Sequence, residues 1–240
     1  MSSLATRMYG VIRRPRTTFI TVLQRPTWAP VLSATTAIAF LCAFGFLRTD
    51  VGRQALVDQW ERTATAFGQR IDDAQYAAME TRAASGILSL EYAAVTALLN
   101  GPVLAFGLSA VLFALLNQKG VETSERPRAS YTQVLSIVCY AGVILALRQV
   151  VAAPVDYVRE TIASPTSIVQ FFTMLDEASP IARFLGVVDL FVIWWLMVVA
   201  VGMSVLYQRQ TRRLALMFAG AYLAIAMLAA LVMAASGGTA

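Results

Sequence analysis

The sequence predicts an all-α membrane protein: a bundle of five transmembrane helices with an N-terminal interfacial helix and an outer-side helical loop. Three observations predict it. Of 240 residues, 58% are hydrophobic and 14% charged, against about 45–50% and about 25% for a soluble domain. Five apolar runs are long enough to matter, since crossing a bilayer takes roughly 20 residues at 1.5 Å rise each. The runs are apolar all round and lack the alternation of β-barrel strands.

The elements follow in order. Residues 1–28 read as a cytoplasmic, basic, amphipathic segment. Pro15 suits a first helical turn, and Phe19, Val22 and Leu23 share a face over residues 15–24. Pro26 stops that helix, and Trp28 sits where the membrane interface begins. Arg13, Arg14, Arg16 and Arg25 surround it as membrane-surface basic residues. The alternative is a binding arm for an acidic partner. Residues 29–240 form the transmembrane domain, with spans expected at about 29–47, 97–116, 134–152, 184–207 and 214–234. The first run is too long for a secretory h-region, so it predicts a span rather than a leader.

Between the first two spans, Leu56, Trp60, Phe67 and Ile71 recur at helical spacing. They predict a helix packed over the outer face, as a structural lid or as a ligand groove. The second span lies inside the apolar stretch 83–117, which Asn100-Gly101-Pro102 interrupts. Proline removes a backbone donor and disfavours helix just before it, so Gly101 and Pro102 mark a kink. A discontinuous, site-lining helix is the alternative. Ala105/Ser109, Ala110/Ala114 and Gly220/Ala224 have the four-residue spacing that permits close helix approach, within a bundle or across a dimer.

Charge sets the topology. Eighteen of nineteen basic residues are arginine, Lys119 being the exception, and they cluster between apolar runs. Segments 1–28, 118–133 and 208–213 together carry eleven basic residues, whereas the far longer 48–82 and 153–183 carry seven and ten of the fourteen acids. The positive-inside rule places the N-terminus in the cytoplasm. Five spans then put the C-terminus outside.

Three ionisable residues fall inside apolar runs: Glu91, Arg148 and Asp189. Each is costly there and needs a reason. The third helix runs outward, leaving Arg148 roughly 6 Å from its outer end, and the fourth runs inward, leaving Asp189 roughly 7.5 Å from its start. Asn100 comes close to the same layer and Glu91 lies just above it. The four residues form a polar cluster in the outer third, either a binding or transport site or a structural pair pinning two helices. A third reading has Arg148 snorkelling to the headgroups.

Several chemistries are excluded. Without histidine and with two cysteines, Cys42 and Cys139, both in apolar segments, the chain builds no Ser-His-Asp triad, Cys-His pair or His-ligated metal site. No P-loop or dinucleotide fingerprint is present. No cofactor or metal is expected, nor nucleic acid, since the basic residues follow topology. The partners expected are membrane lipids and other membrane proteins, or a second copy of the chain.

The opening RRPRTTFITVLQRPTWAPVL, the middle stretch NGPVLAFGLSAVLFALLNQKG followed by Tyr131 and QVLSIVCYAG, and the fourth span VDLFVIWWLMVVAVGMSV resemble the bacterial branch of the Yip family, the Ypt/Rab-interacting membrane proteins. Asp189, Phe191, Trp194 and Gly202 match its pattern, and order and spacing agree over nearly the whole chain. Gly142 and Val143 stand where the family has a proline after Tyr-Ala. The resemblance implies a five-helix integral membrane domain with a cytoplasmic N-terminus, expected in a bacterial inner membrane. Eukaryotic relatives act in vesicle traffic and bind Rab-type GTPases, but the tail here is only about 28 residues.

The function expected is a non-enzymatic membrane organiser or accessory subunit that binds other membrane proteins or lipids. The alternative is a small transporter, channel or lipid-moving protein using the polar layer. An intramembrane enzyme would need Glu91, Asp189 or Lys119 as its base, and no motif supports one.

Overall fold

A computed structural model describes residues 3–66, 68–117, 129–162, 164–172 and 180–236. Lys119, Glu122, Glu125, Arg126 and Arg128 of the second loop, with Phe67, Asp176 and Glu177, lie outside the described residues. Among the described residues twelve α-helices run in order: α1 (Leu4–Arg13), α2 (Pro15–Gln24), α3 (Ala29–Leu47), α4 (Asp50–Ala66), α5 (Asp73–Ala83), α6 (Gly86–Leu98), α7 (Leu104–Asn117), α8 (Tyr131–Ala141), α9 (Val143–Arg159), α10 (Pro180–Val187), α11 (Leu190–Tyr207) and α12 (Thr211–Ser236). Five described stretches are long and apolar enough to cross a membrane: Ala29–Leu47, Gly86–Asn117, Tyr131–Arg159, Leu190–Tyr207 and Thr211–Val232. The chain is an all-α, multi-pass membrane protein.

It divides into two compact units. The first comprises Met1–Ile38, Ala97–Leu147 and Trp194–Ala219; the second comprises Ala39–Thr96, Arg148–Ile193 and Gly220–Ala240.

In the first unit α8 is the central element, with every residue from Val134 to Ala141 buried. A capping box starts it: Ser130 Oγ accepts the Gln133 N–H at 3.3 Å while Gln133 Oε1 accepts the Ser130 N–H at 2.9 Å. Helices α1 and α2 pack on each other and on α8. Val11, Phe19 and Val22 are fully buried. Burying a side chain of this kind contributes roughly 1.5–3 kcal/mol. A Cβ added at Gly202 of α11 would sit 2.4 Å from Ile137 Cγ2 and 3.3 Å from Phe19 Cδ2. Only glycine allows the three elements to meet so closely. The amphipathic face expected of residues 15–24 is present, and its occupant is protein.

The Asn100-Gly101-Pro102 interruption takes the form of a π-helical turn, Leu99–Val103, between α6 and α7. Pro102 has no N–H to offer the preceding turn, and a wider turn accommodates the gap without ending the helix. Gly101 is needed for a second reason: a Cβ there would lie 2.5 Å from Thr36 Oγ1 of α3.

In the second unit Leu47, Leu56 and Leu88 form a small core, flanked by Phe46, Trp60, Tyr92 and Ile162. Ser89 Oγ donates to the Leu47 carbonyl at 3.1 Å. Helices α4 and α5 are joined by Gln54 Nε2, which donates to Tyr76 OH at 2.8 Å. The helix expected from the Leu56, Trp60, Phe67, Ile71 spacing ends at Ala66. Ile71 falls in the non-helical link before Asp72, whose side chain caps α5 and so restarts the chain in a new direction.

The fourth membrane-crossing helix begins at Leu190, six residues after the expected start at 184. Residues 180–187 form the separate α10. An isolated antiparallel bridge between Ser167 and Asp189 diverts the backbone between the two helices.

Candidate functional site

The charged centre of the second unit is built from four segments. Arg148 comes from α9, Ser164 and Thr166 from the link after it, Asp189 from the α10–α11 junction and Tyr222 from α12. Arg148 Nε donates to Asp189 Oδ2 at 3.0 Å. Ser164 Oγ and Thr166 Oγ1 donate to the same oxygen, each at 2.6 Å. Arg148 Nη2 donates to Ser164 Oγ at 2.8 Å, so the hydroxyl is held from both sides.

The second carboxylate oxygen works as a helix cap. Asp189 Oδ1 accepts the N–H groups of Phe191 at 2.8 Å and Val192 at 3.3 Å, which satisfies orphan donors at the start of α11. The negative charge also faces the positive end of the helix dipole. Backbone bonds lock the approach: Ile168 N–H to the Val188 carbonyl at 2.8 Å, and Leu190 N–H to the Thr166 carbonyl at 3.1 Å. Tyr222 completes it, its hydroxyl accepting the Asp189 N–H at 3.1 Å and donating to the Val187 carbonyl at 2.8 Å.

Five donors converge on one carboxylate, which offers about four lone-pair sites. The group is saturated by its own chain. Its side chain is 6% exposed, whereas that of Arg148 is 26% exposed. Burial raises the Asp189 carboxyl, which sits just ahead of the span. The Ser164 and Thr166 hydroxyls, the Arg148 guanidinium and the Phe191 amide outweigh that and hold it below its ordinary value.

The remaining sequence-derived residues fall as follows. Glu91 is exposed on α6 and takes no part in the network around Asp189. Asn100 belongs to the first unit, with Gly101 and Pro102 on the π turn. Of the family-like residues, Asp189 and Phe191 meet in the helix cap, Gly202 makes the close approach to Ile137, and Trp194 is half-buried in the first unit. Arg13, Arg14, Arg16 and Arg25 are all exposed. Arg13 Nη1 donates to Tyr9 OH at 2.9 Å, and its guanidinium lies 5.8 Å from that ring's centroid. Further along α9, the Asp156 Oδ1 atom is buried without a hydrogen-bond partner.

Sequence reasoning missed Ser164, Thr166 and Tyr222. The one available signal was the Ser164-Pro165-Thr166 triplet, two hydroxyls held by a proline in a short link.

With this geometry in hand, comparison with known proteins gives one match. A family profile described as Yip1 domain matches residues 9–234. No curated protein and no solved structure matches the chain.

Proposed function

The chain belongs to the Yip1-domain family, and from that premise we propose that it is a non-enzymatic membrane organiser or accessory subunit. It acts in a bacterial inner membrane through contacts with lipids and other membrane proteins. Its N-terminus faces the cytoplasm and its C-terminus the outside, a topology supported by the eleven basic residues of segments 1–28, 118–133 and 208–213.

One observation carries the reading. Every acceptor site of Asp189, the best-buried carboxylate among the described residues, is filled by the chain's own donors. A transport site must exchange protein partners for a passing solute. Freeing Asp189 would leave Arg148 uncompensated, and breaking a buried pair costs about 3–5 kcal/mol. The Arg148–Asp189 centre is a clasp that joins α9, α11 and α12.

A small transporter, channel or lipid-moving protein is the second reading. It is favoured by the unpartnered Asp156 Oδ1 and by the π turn, since transporters place ionisable groups and broken helices along their paths.

Purified full-length chain in liposomes separates the two. Ion, solute and lipid-scrambling fluxes should match those of protein-free vesicles, and Arg148→Ala should lower only the unfolding midpoint. Flux in the wild type that Asp156→Asn abolishes without changing that midpoint would establish the transporter instead. A stoichiometric membrane partner, crosslinked in native membranes, would support the organiser.

A further inference from the structure

A groove of about 430 Å³ opens beside α4 in the second unit, lined by Gln59, Trp60, Thr63, Ala64, Gln69 and Tyr92. That volume falls within the range of small-molecule sites, about 300–1,000 Å³. We propose that this groove holds the sugar ring of a neutral glycolipid headgroup. The inference stands whether the chain organises membranes or moves solutes.

Local sequence builds the groove. Gln59, Trp60, Thr63 and Ala64 share one side of the last turns of α4. Beyond the helix end Gly68 adopts φ 75°, the left-handed conformation that suits glycine there. Its N–H donates to the Thr65 carbonyl and that of Gln69 to the Ala64 carbonyl, each at 2.9 Å. The chain is thereby turned back so that Gln69 borders the groove. Tyr92 comes from α6, and its hydroxyl donates to Gln59 Oε1 at 3.5 Å.

The lining chemistry selects the ligand. A pyranose presents hydroxyls that both donate and accept, together with an apolar C–H face. The two carboxamides match the hydroxyls, since each brings an acceptor oxygen and two N–H donors, and the Trp60 ring matches the apolar face. Thr63 Oγ1 donates its proton to the Gln59 carbonyl at 2.8 Å, and so meets a ligand as an acceptor. Aromatic rings also attract quaternary ammonium groups. Here the Arg82 guanidinium already lies 6.0 Å from the Trp60 ring centroid. A ligand cation on that ring would meet like charge, whereas a sugar carries no charge to repel.

The depth of the groove favours a lipid over a free sugar. Ser89 Oγ donates to the Leu47 carbonyl at 3.1 Å, which sets the start of α6 beside the last residue of the first membrane-crossing helix. Tyr92 follows three residues later, about 4.5 Å along the axis. The groove therefore sits where a span ends, at the headgroup layer, the depth that tyrosine and tryptophan favour. A headgroup anchored by its acyl chains is held at that level at high effective concentration, and a soluble sugar is not.

The test uses the full chain in a non-glycosidic detergent, with bound ligand counted by native mass spectrometry. The probes are dioctanoyl glucosylglycerol, dioctanoylglycerol, dioctanoyl phosphatidylcholine, methyl glucoside and the neutral peptide acetyl-trialanine amide. The glucosyl lipid should bind, and the other four should bind at least about tenfold more weakly. Thr63→Ala with Gln69→Ala should weaken the glucosyl lipid about tenfold, while Thr65→Ala with Gln24→Ala, the same groups removed outside the groove, should weaken it less than about twofold. All four residues are exposed, and the unfolding midpoint should stay unchanged in each pair. Trp60→Leu should also weaken the lipid, and Trp60→Phe, which keeps a ring beside Leu47 and Leu56, should recover most of that loss. Equal losses for the two exposed pairs, or equal binding of dioctanoylglycerol, would overturn the proposal by showing that no sugar contact is made. Methyl glucoside binding as tightly as the glucosyl lipid would assign the groove to a free sugar. Tighter phosphatidylcholine would assign it to a choline headgroup and tighter peptide to a protein segment, and each of these would overturn the glycolipid reading.

Discussion

The two compact units hold the same number of arginines among their described residues, eight each, and surround them with opposite company. In the first unit no described carboxylate accompanies them, its Glu122 and Glu125 lying outside the described residues. In the second, ten carboxylates do, from Asp50 to Asp189, and both ion pairs of the described residues, Arg53–Asp50 and Arg148–Asp189, lie there. In the second unit, then, charge is part of the fold. In the first, cohesion comes from shape, with Phe19 and Ile137 against Gly202, and charge is presented outward. Removing charge should therefore unfold one unit and merely change what the other attracts.

The largest expected effect is in the clasp. Arg148→Leu or Asp189→Leu alone should destabilise by about 3–5 kcal/mol, because each strands the other's charge. The double change should recover more than half of that in thermal unfolding. Equal losses from all three variants would show that the pair does not act as a unit. Next comes the steric contact of the first unit. Gly202→Val should cost about 1–3 kcal/mol through overpacking, partly relieved by Ile137→Ala in the same chain. A cost no larger than that of a surface change would remove shape as the basis of the first unit. Tyr222→Phe should cost about 1–2 kcal/mol, since one hydroxyl serves both the Asp189 N–H and the Val187 carbonyl. The smallest effect belongs to Arg212→Gln with Arg213→Gln, expected within about 0.5 kcal/mol of wild type. A loss comparable to that of Tyr222→Phe would erase the distinction between the units.

Much of the architecture was legible in composition. Runs of 18 or more apolar residues leave little choice but membrane-crossing helices, and Pro102 announces an interruption wherever it falls in one. The start of the fourth helix was harder to read. Residues 184–188 are almost as apolar as those that follow, so hydropathy runs through the junction. What ends α10 and begins α11 is the Asp189 cap and the pairing with Ser167, a contact across more than twenty residues.

The site divides in the same manner. The depths of Arg148 and Asp189 could be reasoned from helix directions, and the structure puts the two 3.0 Å apart. Ser164, Thr166 and Tyr222 are ordinary hydroxyl residues whose roles exist only through that approach. Glu91 satisfied the same depth criterion and is exposed, because depth says nothing about which side of a helix a residue occupies. The face of α2 could be read from its periodicity, but not what covers it.

The covering of α2 has a consequence for biosynthesis. Phe19 completes its packing against Gly202, about 180 residues further along the chain. At roughly 5–20 residues per second, a ribosome needs on the order of ten to forty seconds to make that stretch. Throughout that interval the first span has emerged, α8 becomes available only part-way, and the surface around Gly202 that completes the packing of Phe19 does not yet exist. The N-terminal hairpin must therefore be stored before it is docked, and for an arginine-rich amphipathic segment beside a nascent span the natural store is the leaflet surface. Assembly of the first unit thus closes from its ends, with the earliest residues among the last to find their place.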